Sequence, residues 1–194
     1  DTPDLQAVLD FFLLAGDDIY DDLIGTSVVR LYERLNHWLK SNWKFQARKN
    51  ISYHYDLGNQ FYREWLDKTM TYSSALFKNK KEVLSSAQTN KYESICKNLN
   101  LKEGDSVLEI GCGWGGFAEH AIKTRGVKLT GLTLSKEQLD YSKKRMFELG
   151  FADKSSFLLQ DYRDEKGVYD GVVSIEMFEA VGEKYWPIYF KTIK

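Results

Sequence analysis

The chain has 194 residues, of which 43% are hydrophobic and 28% charged, a composition typical of a folded globular protein and not of a disordered segment. Its 27 basic and 28 acidic residues leave a formal net charge of −1, so no overall positive field attracts nucleic acid. No stretch of the sequence approaches the roughly 20 consecutive apolar residues that a membrane-spanning helix needs.

The first 50 residues are predicted to form a helical amino-terminal region that precedes a catalytic domain at 51–194. Residues 5–15 are apolar enough for one short helix, and apolar residues recur at helical spacing over 28–39. The second helix and the residues after it carry aromatic and basic side chains, namely Trp38, Trp43, Arg30, Arg34, Lys40 and Lys44. This segment either lies on lipid headgroups, with its rings inward and its charges outward, or packs on the catalytic domain.

The catalytic domain is predicted to open with helices at 60–67 and 83–99, after which short apolar runs alternate with helical segments. The predicted strands are 105–110, 127–132, 156–159 and 171–175, and the helices between them are 117–125 and 136–149, with Ser135 as an N-cap. Such alternation forms βαβ units, which predicts an α/β fold with a parallel, Rossmann-like sheet. Because the chain starts without methionine and stops inside a helical pattern, we expect the sheet's carboxyl-terminal strands to lie beyond Lys194.

A glycine loop follows the first predicted strand. Residues 107–116 read Val-Leu-Glu-Ile-Gly-Cys-Gly-Trp-Gly-Gly, so Glu109 stands two residues before the first glycine. Missing side chains at such a turn let a ligand touch the backbone, and the next helix offers free N–H groups. The alternative is the loop of a nicotinamide dehydrogenase, but that spacing is Gly-x-Gly-x-x-Gly, and a carboxylate beside a diphosphate is unfavourable. Glu109 instead suits a sulfonium amino acid, which predicts S-adenosylmethionine as the cofactor.

The second predicted strand lacks the acidic residue with which many methyltransferases bind the ribose of this cofactor. It runs Leu-Thr-Gly-Leu-Thr-Leu-Ser over 129–135, without Asp or Glu. The hydroxyl of Thr133 and the amide of Gln138 are therefore the side chains expected to supply those hydrogen bonds.

Several separate motifs occur along residues 48–194. They are Tyr-His-Tyr-Asp-Leu-Gly-Asn at 53–59, Thr-Tyr-Ser-Ser-Ala-Leu-Phe at 71–77, Glu-Ile-Gly-Cys-Gly-Trp-Gly at 109–115, Thr-Leu-Ser-Lys-Glu-Gln at 133–138, Gln-Asp-Tyr-Arg-Asp at 160–164 and Ser-Ile-Glu-Met-Phe-Glu-Ala-Val-Gly at 174–182. Together they resemble the cyclopropane-fatty-acid synthase family, including its mycolic-acid-modifying members. The resemblance implies a class I methyltransferase fold. It also implies methyl transfer from S-adenosylmethionine to the double bond of an unsaturated acyl chain, typically in a phospholipid.

The resemblance also implies which residues surround the cofactor. Tyr72 and Ser73 close over it, and Glu109 belongs to the same site. The other implied contacts are Gly111, Cys112, Gly113, Trp114 and Gly115 at the amino-acid end, Thr133, Leu134, Ser135 and Gln138 at the ribose, and Asp161, Tyr162 and Arg163 beside the adenine.

Two departures from the family pattern concern the base that removes a proton from the methylated chain. In the family this base is a bound bicarbonate, held in part by a Cys after the Tyr-Ser pair and by a Glu-His pair. Here Ser74 replaces the Cys and Ala180 replaces the His, while Glu179 remains. Glu179 is the predicted catalytic residue, with Ser74 and Tyr55 lining the site. The altered pocket leaves open a cyclopropane product and a methylene- or methyl-branched product.

The implied partners are unsaturated phospholipid acyl chains at a membrane surface, with no nucleic acid and no predicted oligomeric state. Cys96 and Cys112 lie on unrelated elements, so no disulfide is predicted, which favours a cytoplasmic protein peripheral to the membrane. Two alternatives stay open. A methyltransferase for a small amine or phenol would explain the glycine loop but not the motifs at 71–77 and 174–182, and a non-catalytic lipid-binding relative would explain Ala180.

Overall fold

A computed structural model of the protein describes residues 58–194, together with Asp4, Gln6 and Ala7. The predicted amino-terminal helices, their tryptophans and basic residues, and Tyr55 lie outside the described residues. Asp4 belongs to a compact unit that spans Asp1–Ser41, where its carboxylate accepts a hydrogen bond from the Ala7 N–H at 2.9 Å. Residues 58–194 belong to a second unit, Asn42–Lys194.

Four parallel strands form the sheet of this second unit. They are β1 (Ser106–Ile110), β2 (Lys128–Thr133), β3 (Ser155–Leu159) and β4 (Gly171–Ser174). The order across the sheet is β3-β2-β1-β4, so the chain moves outward from β1 to β3 and then returns to the other side of β1. This reversal makes the carboxyl end of β1 a topological switch point, where open α/β sheets bind ligands. The predicted α/β fold is confirmed, and each strand lies within one residue of its predicted bounds.

Five α-helices surround the sheet in the described part of the chain. They are α1 (Gly58–Arg63), α2 (Leu84–Asn98), α3 (Gly116–Arg125), α4 (Lys136–Glu148) and α5 (Trp186–Thr192). Short 3₁₀ turns cover Ala152–Lys154, Tyr162–Asp164, Phe178–Ala180 and Glu183–Tyr185. The predictions for α2, α3 and α4 are confirmed to within one residue, and Ser135 caps α4 by accepting a hydrogen bond from the Gln138 N–H at 3.3 Å.

The prediction of a helix over 60–67 is wrong at its end, because α1 stops at Arg63. One further turn is held by the Leu66 N–H, which donates to the Tyr62 carbonyl at 2.9 Å. The chain then reverses at Met70, which has a positive φ of 54°. This reversal lets Met70 pack with Tyr62 and Trp114 in a small buried cluster, so tertiary packing ends the helix before its sequence pattern does.

The two faces of the sheet are both buried. Alternate side chains of β1 point to opposite faces: Val107 joins a large core with α2, α3 and α4, while Leu108 and Ile110 join a smaller core on the other side. Such two-sided burial explains why the strands read as continuous apolar runs. Among the described residues, no helix is long and apolar enough to cross a bilayer.

Candidate cofactor site

A cavity of about 870 Å³ opens at the carboxyl ends of β1, β2 and β4. Most of the predicted cofactor residues line it: Tyr72, Ser73, Glu109, Gly111, Cys112, Gly113, Trp114, Thr133, Leu134, Gln138, Asp161, Tyr162 and Arg163. The structure places Gly115 and Ser135 outside this lining. Gly115 is the N-cap of α3 and faces Ser142 of α4, and Ser135 is occupied as the N-cap of α4.

The glycine loop is fixed to the neighbouring strand. The N–H groups of Gly111 and Cys112 both donate to the Leu132 carbonyl at 2.9 Å. Gly113 has a φ of +53°, and a side chain added there would meet no atom within 4 Å because the position faces open space. A ligand can therefore approach the backbone at Gly113 closely, as a cofactor loop requires.

A second glycine sets the spacing beneath the loop. Gly131 of β2 lies so close to its neighbours that an added Cβ would be 2.7 Å from the Phe157 ring and 3.0 Å from the Cys112 Cβ. The loop therefore rests directly on the backbone of β2.

Glu109 supplies a buried carboxylate beside the loop. Its side chain is only 3% exposed, and its Oε2 atom has no hydrogen-bond partner among the described residues. Burial raises the pKa of Glu109 well above its ordinary value, and the positive charge of Arg145 opposes that shift. An unpaired acid in this position suits a cationic ligand group, which would favour its ionised form. The residues present therefore fit the ammonium and sulfonium charges of S-adenosylmethionine.

Arg145 of α4 connects several segments that lie beside the cavity. Its guanidinium pairs with Glu119 of α3 at 2.6 Å. It also donates to the carbonyl of Thr69 at 2.9 Å and to that of Trp114 at 3.2 Å. One side chain thus connects two helices, the glycine loop and the segment that leads to Tyr72.

Thr133 and Gln138, each predicted to contact the ribose, are hydrogen-bonded to each other in the structure. The Thr133 hydroxyl donates to Gln138 Oε1 at 2.9 Å, and both residues are buried at the wall of the cavity. The Ser135 N–H in turn donates to Thr133 Oγ1 at 3.1 Å. The end of β2 therefore offers neutral polar groups where an acidic residue is missing.

The predicted adenine segment carries a closely paired acid and base. Arg163 donates to both carboxylate oxygens of Asp161, at 2.6 and 2.8 Å, and this hydrogen bonding raises the pKa of Arg163. The guanidinium lies 5.7 Å from the centre of the Tyr162 ring and 5.6 Å from that of Tyr185. These contacts fix the edge of the cavity that the Gln-Asp-Tyr-Arg motif forms.

The Tyr72-Ser73-Ser74 segment is fastened to α2 by two side chains that sequence reasoning missed. Gln88 donates to the Ser73 carbonyl at 2.7 Å. Lys91 donates to Ser73 Oγ at 2.5 Å and to the Ser74 carbonyl at 2.7 Å. Burial lowers the pKa of Lys91 to about 8. Gln88 and Lys91 share one face of α2 at a spacing of three residues, and no motif marks them.

The three predicted catalytic residues are not brought together by the described structure. Glu179 is exposed on the 3₁₀ turn Phe178–Ala180 and is outside the described lining, whereas the next residue, Ala180, lies in it. Ser74 is exposed near the cavity mouth, and Tyr55 lies outside the described residues. The predicted role of Glu179 therefore gains no support from its position.

A different carboxylate, Glu176, stands at the cavity. It follows β4 and lines the pocket, and it accepts hydrogen bonds from the Ser74 N–H at 2.9 Å and from the Ser74 hydroxyl. Its φ of +48° is unusual for a residue other than glycine. Sequence reasoning quoted the motif that contains Glu176 but gave its carboxylate no role. The available signal was an acid directly after the last predicted strand, 171–175.

Comparison with known proteins identifies the family. A model of the mycolic acid cyclopropane synthetase family matches residues 42–194. The chain belongs to this family. A probable fatty acid methyltransferase from Pseudomonas putida is 45% identical over 152 residues, which cover 77% of this chain and 39% of that protein. The cyclopropane-fatty-acyl-phospholipid synthase of Escherichia coli K12 is 43% identical over 140 residues, or 72% and 35% of the two chains.

The solved structures agree with this family assignment. A mycolic acid cyclopropane synthase in complex with SAH and CTAB superposes with a TM-score of 0.73 at 32% identity, covering 75% of this chain and 51% of that one. The predicted resemblance to this methyltransferase family and its fold is confirmed. The chain spans about two fifths of the length of the curated relatives it matches.

Proposed function

We propose that the protein carrying this sequence transfers a methyl group from S-adenosylmethionine to the double bond of an unsaturated acyl chain in a phospholipid, giving a cyclopropane. The observation that carries the proposal is the cavity at the switch point, where the glycine loop and the unpaired Glu109 carboxylate meet an aromatic wall. Family membership supports it, as do relatives named as a fatty acid methyltransferase and a cyclopropane-fatty-acyl-phospholipid synthase.

The cofactor supplies an electrophilic methyl group on a positively charged sulfur. Glu109 would hold the ammonium group, and the backbone at Gly113 would allow close approach of the amino-acid end. Thr133 and Gln138 would hold the ribose. These contacts orient the methyl group, and orientation matters because an alkene is a weak nucleophile that must be close and in line to react.

The lining of the cavity suits a reaction that places positive charge on a hydrocarbon chain. Trp114 and Phe117 are almost fully buried in the wall, and Tyr72 and Tyr162 lie at other parts of it. Aromatic faces stabilise a nearby cation without acting as nucleophiles. A dry aromatic wall would therefore protect a carbocation from water until a proton is lost.

A branched product is the second candidate. Ala180 lies in the cavity lining, at the place where the family pattern has a histidine. Without that group, the proton can leave from a neighbouring acyl carbon instead of the new methyl group, which gives a methyl-branched unsaturated chain. The fatty acid methyltransferase name of the Pseudomonas putida relative is compatible with such a product.

The test is an assay with a trideuterated methyl donor on vesicles of unsaturated phospholipid, with a small amine and a small phenol as rival acceptors. A cyclopropane retains two deuterium atoms and has lost the double bond, whereas the methyl-branched chain retains three and keeps a double bond. Exclusive methylation of the small acceptors would refute the lipid proposal.

We also propose that the basic amino-terminal segment contacts the membrane, so that the protein is cytoplasmic and peripheral to the membrane. The acyl substrate resides in a bilayer, and four basic residues near two tryptophans suit an anionic headgroup layer. Sedimentation with anionic vesicles measures it. Binding that persists unchanged after Arg30, Arg34, Lys40 and Lys44 are neutralised would discard this role.

A further inference from the structure

The hydrogen-bond donors expected to hold a bicarbonate ion are already occupied in this protein. Ser74 replaces the family's cysteine, and its N–H and hydroxyl are the groups available there to bind an anion. Both donate to the carboxylate of Glu176, the N–H at 2.9 Å. A second anion on the same donors would lie against the negative charge of that carboxylate, and it would find both donors already used. The Ser74 donors, which are the described part of that expected site, therefore do not fit bicarbonate.

We infer that Glu176 takes the place of an exogenous anion and is the base that accepts the proton from the methylated acyl chain. This inference rests on the proposed function and names a further catalytic residue for it. It also accounts for Ser74 and Ala180 together, since a protein with its own carboxylate at this position needs neither the cysteine nor the histidine of a bicarbonate site.

The position of Glu176 matches this role. The residue lines the cavity and is exposed, so an accepted proton can pass to water. Its backbone is held in the left-handed region, a conformation that a residue with a Cβ keeps only where the surroundings fix it. The two bonds from Ser74, 102 residues earlier in the chain, are the contacts that fix it.

A positive charge balances the carboxylate. Lys91 donates to the Ser74 carbonyl at 2.7 Å, so the amine, Ser74 and Glu176 form a connected chain from α2 to the loop after β4. Glu176 and Lys91 also interact electrostatically. These contacts connect the carboxylate to α2 and to the Tyr72-Ser73-Ser74 segment at the edge of the cavity.

The reaction step balances without a further reagent. The π electrons of the alkene form the new carbon–carbon bond to the methyl group while the carbon–sulfur bond breaks and its electron pair stays on sulfur. The cation left on the acyl chain then loses a proton to Glu176. The electron pair of the broken C–H bond closes the ring or forms a new double bond, and the carboxylic acid releases its proton to solvent.

The first experiment measures whether the anion site is filled, using binding of ¹³C-bicarbonate followed by the broadening of its NMR line. The wild-type protein is expected to cause no specific broadening. Glu176→Gly removes the carboxylate, frees both Ser74 donors and tolerates the positive φ, so it is expected to bind bicarbonate. Saturable binding of bicarbonate by the wild type would overturn the inference. So would the absence of bicarbonate binding by a Glu176→Gly variant whose affinity for S-adenosylmethionine is normal.

The second experiment measures methyl transfer to unsaturated phospholipid in buffer freed of carbon dioxide and again with bicarbonate added. The wild-type rate is expected to be the same in both. Glu176→Gln and Glu176→Gly are expected to lose about a hundredfold, the usual size of a general-base effect. Added bicarbonate should restore activity to Glu176→Gly alone, because the glutamine amide still fills the site. Glu183→Gln, an exposed carboxylate outside the lining, is the matched control.

These outcomes separate the inference from the proposed function. If the wild-type protein binds S-adenosylmethionine but methylates no unsaturated lipid, the proposed function is refuted, and with it the role of Glu176 as a base. The NMR measurement would still decide whether the Glu176 carboxylate fills the anion site. A wild-type rate that collapses without bicarbonate, or a Glu176→Gln rate close to the wild-type rate, would overturn the inference and leave the proposed function standing.

Discussion

Replacing Gly113 by alanine tests whether the open space at the glycine loop is the place where the cofactor binds. Gly113 and Gly150 both have a positive φ, +53° and +74°, and an added Cβ would meet no atom within 4 Å at either position. Of these two glycines only Gly113 lines the cavity. Gly150 lies after the end of α4 and is not a lining residue. Gly150→Ala is thus a control with the same backbone penalty and no effect on the cavity.

The expected magnitudes follow from this difference. Alanine in the left-handed region costs roughly 1–2 kcal/mol, so each variant should melt about 2–8 °C below the wild type. The methyl group of Gly113→Ala also projects into the space reserved for the cofactor, and displacement of the ligand should weaken its binding at least about tenfold, or 1.4 kcal/mol. Gly150→Ala should bind S-adenosylmethionine like the wild type.

The assay combines thermal unfolding without ligand and titration calorimetry with S-adenosylmethionine. Equal losses of stability in the two variants, with a loss of affinity in Gly113→Ala alone, would support the assignment of the cavity. If the dissociation constant of Gly113→Ala stays within about twofold of that of Gly150→Ala, the reasoning that places the cofactor at Gly113 is refuted.

Three further predictions concern charged groups around the cavity. Burial raises the pKa of Glu109, and a bound ammonium group would lower it again. At pH values between the two pKa values, binding of S-adenosylmethionine should therefore release a proton, and calorimetry in buffers of different ionisation enthalpy should show a release that Glu109→Gln abolishes. Burial lowers the pKa of Lys91 from 10.5 to about 8, so between these two pH values the unfolded chain binds more protons than the folded protein. The free energy of unfolding of the wild type, measured in urea, should therefore rise with pH across this window relative to that of Lys91→Met. Arg145→Met should cost roughly 1.5–3 kcal/mol in urea unfolding, because it strands Glu119 and the Trp114 carbonyl, whereas Arg145→Lys should cost less. The Glu109 prediction is contradicted if no proton is released, and the Lys91 prediction if the stability difference does not change with pH. The Arg145 prediction is contradicted if the urea midpoint of Arg145→Met equals that of the wild type.

The sequence pattern was sufficient for those parts of the fold that depend on local periodicity. Short apolar runs located the strands, and Ser135 was identifiable as an N-cap because capping depends on the residues of one turn. Thr133 and Gln138 were named as ribose ligands because the end of the second strand lacks an acid, whereas the hydrogen bond between them is known only from the structure. The strands and the N-cap need little information from distant parts of the chain.

The parts that sequence reasoning missed depend on contacts between distant segments. Glu176 is set by Ser74, which lies 102 residues away, and a single sequence gives no sign of that meeting. Gln88 and Lys91 looked like ordinary polar residues of α2 until the structure placed the Ser73 backbone beside them. The emphasis on Glu179 came from the family pattern, and the described structure places that residue on an exposed turn outside the cavity lining.

The close approach at Gly131 has a consequence for how this site tolerates change. The height of the cofactor loop above the sheet is determined by a hydrogen atom on the neighbouring strand, at a residue that is absent from the lining of the cavity. A side chain at Gly131 would force the Phe157 ring or Cys112 to shift, and a shift of Cys112 would move the glycine loop although no predicted cofactor residue is replaced. Gly131 therefore determines the position of the glycine loop although it is not among the residues that line the cavity.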